Sequence, residues 1–247
     1  PILTYIKNSN ADIVCLQEFL INDRTKNKSK KKIENELKDY PHYSYVKLES
    51  IYNGDKSHYG LACFSKHPIL STTKLPIETR NNAGSVMYKI KVKDQIITVF
   101  NNHLESNRLT TEDRKLYENL LSSGTDRQRI DSITDNIRKR LGPAYVKRAT
   151  QAKLIDSWIK EQGNDKVIVC GDFNDTPISY TYKTVKGKLK DSFVDTGFGA
   201  GITYNQNYFW FRIDYILHSS DFKAYNCTVD KVEYSDHYPI WTYLRIE

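Results

Sequence analysis

Acidic and imidazole side chains recur in this sequence where apolar, strand-like runs end. These polar residues are Glu18, His103, Asp172, Asn174, Asp214, Asp236 and His237. A carboxylate beside a buried strand is costly unless it is paired or binds a cation. Any one of these residues alone is explained as a strand-end cap. Their recurrence at successive strand ends indicates one shared cleft that can hold a cation and an anionic substrate.

The donor types in this set favour a hard cation. Carboxylate oxygens with few imidazoles and no thiolates select Mg²⁺ or Mn²⁺ over zinc. The four cysteines, Cys15, Cys63, Cys170 and Cys227, form no Cys-x-x-Cys pair, and three of them lie inside apolar runs. This spacing argues against a zinc cluster or a disulfide framework.

Apolar periodicity predicts strands that alternate with helices along the chain. The predicted strands are 12–18, 43–48, 60–65, 86–92, 96–102, 167–172, 213–217, 228–232 and 240–245. The predicted helices are 2–8, 33–38 and a helical stretch over 110–162 that is divided at Gly142-Pro143. Strands dominate both halves, so the pattern is typical of a two-sheet α/β sandwich in one domain.

Length and composition set the outer limits. The chain has 247 residues with a formal net charge of +7 and 27% charged residues. No apolar run approaches the ~18 residues that a membrane helix needs. The aromatic content excludes wholesale disorder, since 18 Tyr and 9 Phe are present. The basic balance favours an anionic partner such as nucleic acid, a phosphorylated metabolite or a lipid headgroup.

Five short motifs occur together and in a fixed order. They are Leu-Gln-Glu18, Asn-His103-Leu, Gly-Asp172-Phe-Asn174, Arg-Ile-Asp214-Tyr-Ile and Ser-Asp236-His237-Tyr-Pro. This series resembles the endonuclease/exonuclease/phosphatase superfamily, and the chain looks most like a bacterial branch of unassigned substrate. The resemblance implies a four-layer α/β/β/α sandwich of the deoxyribonuclease I type and Mg²⁺-dependent cleavage of a phosphoester.

The resemblance also implies a role for each motif residue. Glu18 looks like the principal metal ligand, with Asp236 as its partner or acting through a bound water. Asp172 resembles the general base that activates the attacking water, and Asn174 positions that water or the phosphate. His237 looks like the imidazole that contacts the phosphate, and Asp214 looks like the carboxylate that orients it. His103 resembles a donor to charge that develops on phosphorus.

Simpler interpretations stay open for some of these residues. Asp214 could instead pair with Arg212, and His103 could be a buried histidine with only a structural role. Four more residues are weaker candidates for substrate contact, because they lie in loops expected to border the cleft. They are Tyr59, Arg80, Asn205 and Trp210. The aromatic residues around Trp210 are typical of a core segment, but in this loop they could stack on a base.

We therefore expect a single catalytic domain over residues 1–247, truncated at its N-terminus. In the related family the first strand carries an asparagine that helps to bind metal, and we expect that strand upstream of this sequence. Upstream hydrophobic helices could anchor the parent protein in a membrane, while the segment itself is expected to be soluble and monomeric, without a protein partner.

The expected activity is a metal-dependent phosphodiesterase, with nucleic acid as the first candidate substrate. A phosphomonoesterase and a sphingomyelinase-like lipid phosphodiesterase are the alternative enzymes. A catalytically silent module that binds an anionic partner through its basic surface is the alternative of a different class, and it predicts binding that falls steeply with salt.

Overall fold

The structure is a computed structural model that describes the chain apart from residues 23–29, 51–56, 78–81, 108–109, 123–126, 164–165 and 207–208. Its helices are α1 (Ile2–Ser9), α2 (Lys30–Glu36), α3 (Thr111–Ser122), α4 (Arg127–Glu161), α5 (Tyr180–Lys186) and α6 (Ser192–Thr196). Its first seven strands are β1 (Ile13–Asn22), β2 (His42–Ser50), β3 (Ser57–Ser65), β4 (Ile69–Lys74), β5 (Gly84–Val92), β6 (Gln95–His103) and β7 (Lys166–Asp172). The others are β8 (Lys190–Asp191), β9 (Tyr204–Gln206), β10 (Phe209–Phe211), β11 (Asp214–His218), β12 (Phe222–Val229) and β13 (Ile240–Ile246).

Six strands form one continuous sheet in the order β4-β5-β6-β7-β11-β8. Strands β6 and β7 are parallel, which requires a long crossover, and helices α3 and α4 lie in that connection. The other pairs in this sheet are antiparallel. The strand ends of β6 and β7 therefore point to the same edge of the sheet.

The remaining long strands form two smaller sheets, ordered β1-β3-β2 and β12-β13. Among the described residues, β1 pairs only with β3, and β13 pairs only with β12. A cavity of about 1770 Å³ is lined by consecutive residues of both β1 and β13. Since successive side chains alternate across a strand, lining by consecutive residues means that the strand edges border the cavity.

Alternation along the strands divides the core into layers. One face of the six-stranded sheet packs on the two smaller sheets, with Tyr88 and Val99 against Leu61 and Phe222. The opposite face packs on α4 and α5, and the outer face of the three-stranded sheet packs on α1 and α2. The order helix, sheet, sheet, helix confirms the expected four-layer α/β sandwich.

One predicted break is wrong. Helix α4 continues through Pro143 instead of dividing at Gly142-Pro143. Pro143 lies on the solvent side, and Lys139, whose carbonyl loses its helical partner, is exposed to water. The buried side of the helix carries Leu141, Ala152 and Ile155, so a shared apolar face keeps the helix continuous. In the described part of the chain, no helix combines the length and apolar character needed to cross a membrane.

Candidate active site

Three of the polar residues occupy one row across adjacent strands of the six-stranded sheet. His103 at the end of β6 is the register partner of Asp172 at the end of β7, and Asp172 is the partner of Asp214 at the start of β11. Partners directly opposite each other on a sheet have side chains on the same face. The fold therefore places residues that are 69 and 42 positions apart in sequence directly opposite each other on adjacent strands.

Glycine at position 171 makes the parallel pair possible at this point. Gly171 has φ 124°, a conformation that L side chains rarely adopt. A Cβ placed there would lie 2.0 Å from the carbonyl oxygen of Asn102 on β6. The side chain of Asn102 donates from Nδ2 to the Cys170 carbonyl oxygen at 2.9 Å, which closes the same junction. The close approach of the two strands fixes where Asp172 lies relative to His103.

Asp172 is buried and held by its own loop. Its Oδ1 accepts a hydrogen bond from the Asn174 backbone N–H at 2.7 Å, and its Oδ2 accepts one from Asn174 Nδ2 at 2.8 Å. Burial raises the pKa of Asp172 to about 6, with the Asp214 carboxylate adding to the effect and the His237 and His103 imidazoles opposing it. A carboxylate with this pKa is mostly ionised at neutral pH and still basic enough to accept a proton.

His237 pairs with Asp214. The distance from His237 Nδ1 to Asp214 Oδ2 is 2.9 Å, and His237 Nε2 lies 4.0 Å from Asp172 Oδ2. Because an ionised carboxylate only accepts, Nδ1 carries the proton. Burial lowers the pKa of His237, but the carboxylates of Asp214, Asp172 and Asp236 outweigh burial and raise it to about 10. His237 is therefore an imidazolium at neutral pH and can donate from Nε2.

His103 faces two carboxylates. Its Nε2 lies 3.6 Å from Glu18 Oε1 and 3.7 Å from Asp172 Oδ2. Its Nδ1 lies 3.0 Å from the Asn82 carbonyl oxygen, which can only accept, so Nδ1 carries a proton. This arrangement orients Nε2 toward the cleft and brings Glu18 into the same group as Asp172.

Glu18 lies at an irregularity of β1. The register against β3 shifts between Leu16 and Phe19, and Glu18 has φ 48°. Its side chain is 61% exposed and lines the cavity. The neighbouring Gln17 donates from Nε2 to Asn101 Oδ1 on β6 at 2.6 Å, which ties this irregular segment to the six-stranded sheet. A bulge of this kind turns a side chain away from the regular alternation of the strand.

Asp236 belongs to an exposed loop that also carries His237. The Asp236 carbonyl oxygen accepts from the Asn205 backbone N–H at 3.2 Å, and its Oδ1 accepts from Ser235 Oγ at 3.1 Å. Tyr204 bridges to His237 by backbone pairing, and the two rings lie 5.1 Å apart edge to face. The hairpin of β9 and β10 therefore supports the loop that presents both residues.

The weaker candidates do not join this group. Asn205 and Trp210 are register partners, and Trp210 Nε1 donates to Asn205 Oδ1 at 2.7 Å. Neither residue lines the cavity. Side chains alternate along the hairpin strands, so the cavity is lined instead by the sequence neighbours Tyr204 and Phe211. Tyr59 on β3 also lies outside the cavity lining, and Arg80 lies outside the described residues. Substrate contact by these residues stays a prediction.

Two alternatives from the sequence can now be compared with the geometry. Asp214 pairs with His237, whereas Arg212 donates from Nη1 to Asp191 Oδ2 at 2.8 Å.

Sequence reasoning also missed Arg148, which is fully buried beneath the site. The sequence did carry a signal for this residue. Leu141, Arg148 and Ile155 follow one another at seven-residue spacing, which places a charged residue at a core position of the helix.

The donor chemistry of the group fits a divalent cation. One carboxylate oxygen each of Asp172 and Asp214 and one imidazole nitrogen of His237 lie within 4.8 Å of one another. Because both nitrogens of the His237 imidazolium carry protons, only the two carboxylates of this trio can accept a cation. Glu18 and Asp236 add exposed carboxylates on the same cavity. Asp172 and Asp214 already accept hydrogen bonds from Asn174 and His237, so Glu18 has the freest carboxylate of the set. Oxygen-rich sets of this kind suit Mg²⁺, Mn²⁺ or Ca²⁺.

Comparison with known proteins decides the family. The model of the endonuclease/exonuclease/phosphatase family matches residues 1–237. The chain belongs to this family. Membership places it among phosphoric ester hydrolases and confirms the resemblance that the five motifs indicated. The family is generally dependent on divalent metal ions, in agreement with the oxygen-rich donor set. No curated protein sequence matches the chain.

Solved structures of family members share the fold. The mannosyl-6-phosphatase of Bacteroides thetaiotaomicron is 19% identical with a TM-score of 0.65, over 99% of this chain and 89% of that one. The beta toxin of Staphylococcus aureus is 20% identical with a TM-score of 0.64, over 97% and 88%. The human Nocturnin catalytic domain, solved with a bound sulfate anion, is 16% identical with a TM-score of 0.61, over 100% and 85%. Across these low identities the family retains the four-layer architecture.

Proposed function

We propose that this family member hydrolyses a phosphodiester, using a water molecule that Asp172 deprotonates in the presence of Mg²⁺ or Mn²⁺. The observation that carries the proposal is the row of His103, Asp172 and Asp214 on adjacent strands. His237 completes this group, with its Nε2 4.0 Å from Asp172 Oδ2. The base Asp172 and the imidazoles of His103 and His237 then converge on one point, which is the arrangement that attack on phosphorus requires.

The different pKa values of Asp172 and His237 support separate roles for the two residues. Asp172, with a pKa of about 6, is the group that can accept a proton from water at neutral pH. His237, with a pKa of about 10, holds its proton and faces the same space through Nε2. His237 thus donates to a phosphoryl oxygen or to the leaving oxygen, and Asp214 holds the imidazolium in that orientation. Two groups whose environments separate their pKa values form an acid and base pair.

Glu18 and Asp236 are proposed to hold the divalent cation, with Asp172 and Asp214 close by. When bound, such a cation polarises a phosphoryl oxygen and neutralises charge that develops in the transition state. Asn174 contributes separately: its Nδ2 donates to Asp172 Oδ2 and to the Leu104 carbonyl oxygen at 3.0 Å, which holds the carboxylate of the base in place.

The aromatic lining of the cleft supports a diester, which carries a group on each side of the phosphate. Aromatic side chains of Tyr145, Tyr204 and Phe211 line the same cavity, and they suit flat or ring-shaped groups on either side of the phosphate. Nucleic acid is the first candidate substrate, consistent with the net charge of +7.

An assay with a panel of substrates tests this proposal. The purified chain is incubated with Mg²⁺, Mn²⁺ or a chelator, and with bis-p-nitrophenyl phosphate, p-nitrophenyl phosphate, single-stranded DNA, RNA or sphingomyelin vesicles. We expect metal-dependent cleavage of bis-p-nitrophenyl phosphate and of at least one nucleic acid. Preferential release of phosphate from the monoester would replace the proposal with a phosphomonoesterase. Cleavage of sphingomyelin alone would replace the nucleic acid with a lipid.

Two carboxylate variants separate chemistry from folding. Asp172→Asn is expected to lower kcat by about 10²–10⁴-fold, because the amide cannot accept the proton from water. Asp135→Asn serves as the matched control, since Asp135 is exposed on α4 and, among the residues that the structure describes, pairs with Arg138 at 3.3 Å. Equal activity of the Asp172 and Asp135 variants, or steep salt-dependent binding of nucleic acid without turnover, would favour the silent binding module instead.

A further inference from the structure

Helix α4 carries a buried arginine beneath the two loops that present the catalytic residues. Arg148 has no exposed surface. Its Nε donates to Asp175 Oδ2 at 3.1 Å, and its Nη1 donates to the Glu105 carbonyl oxygen and to Asn107 Oδ1, both at 2.8 Å. The guanidinium also lies 4.5 Å from the centre of the Tyr145 ring on the same helix.

These partners belong to both catalytic loops. Glu105 lies two residues after His103, and Asp175 directly follows Asn174. One planar guanidinium therefore binds the segment that leaves β6 and the segment that leaves β7. A rigid fork of donors can hold several acceptors at fixed angles, which a lysine ammonium on a flexible stem cannot.

A continuous series of hydrogen bonds runs from the arginine to the proposed base. Arg148 donates to Asn107 Oδ1, and Asn107 Nδ2 donates to the Asn174 carbonyl oxygen at 3.3 Å. Asn174 Nδ2 in turn donates to Asp172 Oδ2. The same helix adds a further tie, because the Glu105 N–H donates to Gln151 Oε1 at 3.0 Å.

We infer that Arg148 is a positioning residue that sets the separation of His103 and Asp172 by clamping the ends of β6 and β7 to helix α4. The distance between His103 Nε2 and Asp172 Oδ2 is 3.7 Å. A shift of about 1 Å in such a group can lower the rate on the order of 10²-fold. Helix α4 is thus part of the catalytic scaffold, and its role goes beyond covering the sheet.

The test must separate positioning from general stability. Removing only the arginine leaves Asp175 buried and uncompensated, which destabilises any protein. The double variant Arg148→Met, Asp175→Asn removes the pair without leaving a lone charge, so we expect its Tm to fall less than that of Arg148→Met alone. Ile155→Ala is the matched control, since Ile155 is fully buried two turns along the same helix and contacts the core.

Hydrogen exchange measured by mass spectrometry gives a readout that does not need activity. We expect the double variant to exchange faster in peptides covering 103–107 and 172–176 and to leave other strands unchanged. Ile155→Ala should lower Tm without this selective effect. Unchanged exchange in both loops of the double variant would overturn the inference, whether or not the parent hydrolyses any substrate.

Kinetics provide the second readout, which rests on the proposed function. The double variant should show kcat lowered on the order of 10²-fold with little change in KM, because the binding surface remains while the reacting groups are misplaced. Asn107→Ala should lower kcat in the same direction, and adding it to the double variant should cost little more, since the residues act as one unit. Full additivity, or a loss of kcat that only follows Tm in all variants including Ile155→Ala, would show that Arg148 is merely structural.

Discussion

The two sheet layers of this domain support the site in different ways. The six-stranded sheet is continuous, and it presents His103, Asp172 and Asp214 in one row across three adjacent strands. The opposite layer is divided into three and two strands, and it presents Glu18 from a bulge and Asp236 from an exposed loop. In the proposed mechanism the base Asp172 belongs to the regular layer, whereas the proton donor His237 and the proposed cation ligands belong to the irregular one.

The difference teaches where precision comes from in this site. A row of register partners is fixed by many backbone hydrogen bonds, and the contacts of Arg148 with the segments that follow β6 and β7 add to them. A side chain on a bulge depends on a few local contacts, such as the bond between Gln17 and Asn101. We therefore expect variants of the regular layer to affect both folding and rate, and variants of the divided layer to act mainly on cation affinity.

The largest effect is expected at the junction of β6 and β7. Gly171→Ala forces a Cβ against the Asn102 backbone and an unfavourable φ, so the free energy of unfolding should fall by at least about 2 kcal/mol. Urea unfolding followed by circular dichroism measures this loss. Gly142→Ala is the control, because an added Cβ there meets no atom within 4 Å. Equal stability of the two variants would mean that the close approach of β6 and β7 is not needed.

The Asp214 and His237 pair should control the alkaline side of the pH profile. In the parent, kcat/KM should rise as Asp172 loses its proton near pH 6 and fall as His237 loses its proton near pH 10. Asp214→Asn removes the carboxylate that favours the imidazolium, so the alkaline limb should move to lower pH. Stopped assays from pH 5 to 10.5 on a chromogenic diester measure both limbs. An unchanged alkaline limb in this variant would contradict the assignment of His237 as the donor.

In the divided layer, Glu18→Gln should act on the cation more than on the fold. We expect the Mg²⁺ concentration for half-maximal activity to rise on the order of 100-fold, while Tm changes little because the side chain is exposed. Titration of activity with Mg²⁺, together with thermal unfolding, distinguishes the two effects. Glu36→Gln on α2 is a control for loss of an exposed carboxylate, since Glu36 pairs with Lys32 on the same helix and lies outside the cavity lining. Unaltered Mg²⁺ dependence would remove Glu18 from the cation site.

The smallest effects should come from the β9–β10 hairpin, and its two faces should differ. Tyr204→Leu removes a ring that packs against His237 and should lower kcat/KM by about tenfold. Trp210→Leu alters the opposite face, so we expect a change of no more than about twofold on small diesters. A tenfold or larger loss confined to nucleic acid substrates in the Trp210 variant would instead support the stacking role that the sequence suggested.

Four of the six strands of the regular layer, β5, β6, β7 and β11, were predicted from the sequence. Polar residues at the ends of apolar runs predicted a shared cleft, whereas the parallel pairing of β6 and β7 is seen only in the structure. The family motifs supplied the order of the residues. Helix α4 was predicted as two helices because Gly-Pro usually marks a break, and only the shared buried face of both halves explains its continuity.

The divided layer was harder to predict for physical reasons. The positive φ of Glu18 has no signature in an apolar run, and glutamate is not a residue type that favours it. Which side chains of the β9–β10 hairpin face the cavity depends on its register, in which Tyr204 pairs with Phe211. A shift of one residue would turn Asn205 toward the cavity and its sequence neighbours away from it. Arg148 was overlooked because its partners come from loops that only the folded chain brings together.

The cavity between β1 and β13 has a consequence for how the domain behaves in concentrated solution. Open strand edges offer rows of amide and carbonyl groups that readily accept a foreign strand. An extended segment placed in this cavity would lie beside both edges. Strand-mimicking peptides therefore offer a direct test of whether these edges accept a further strand.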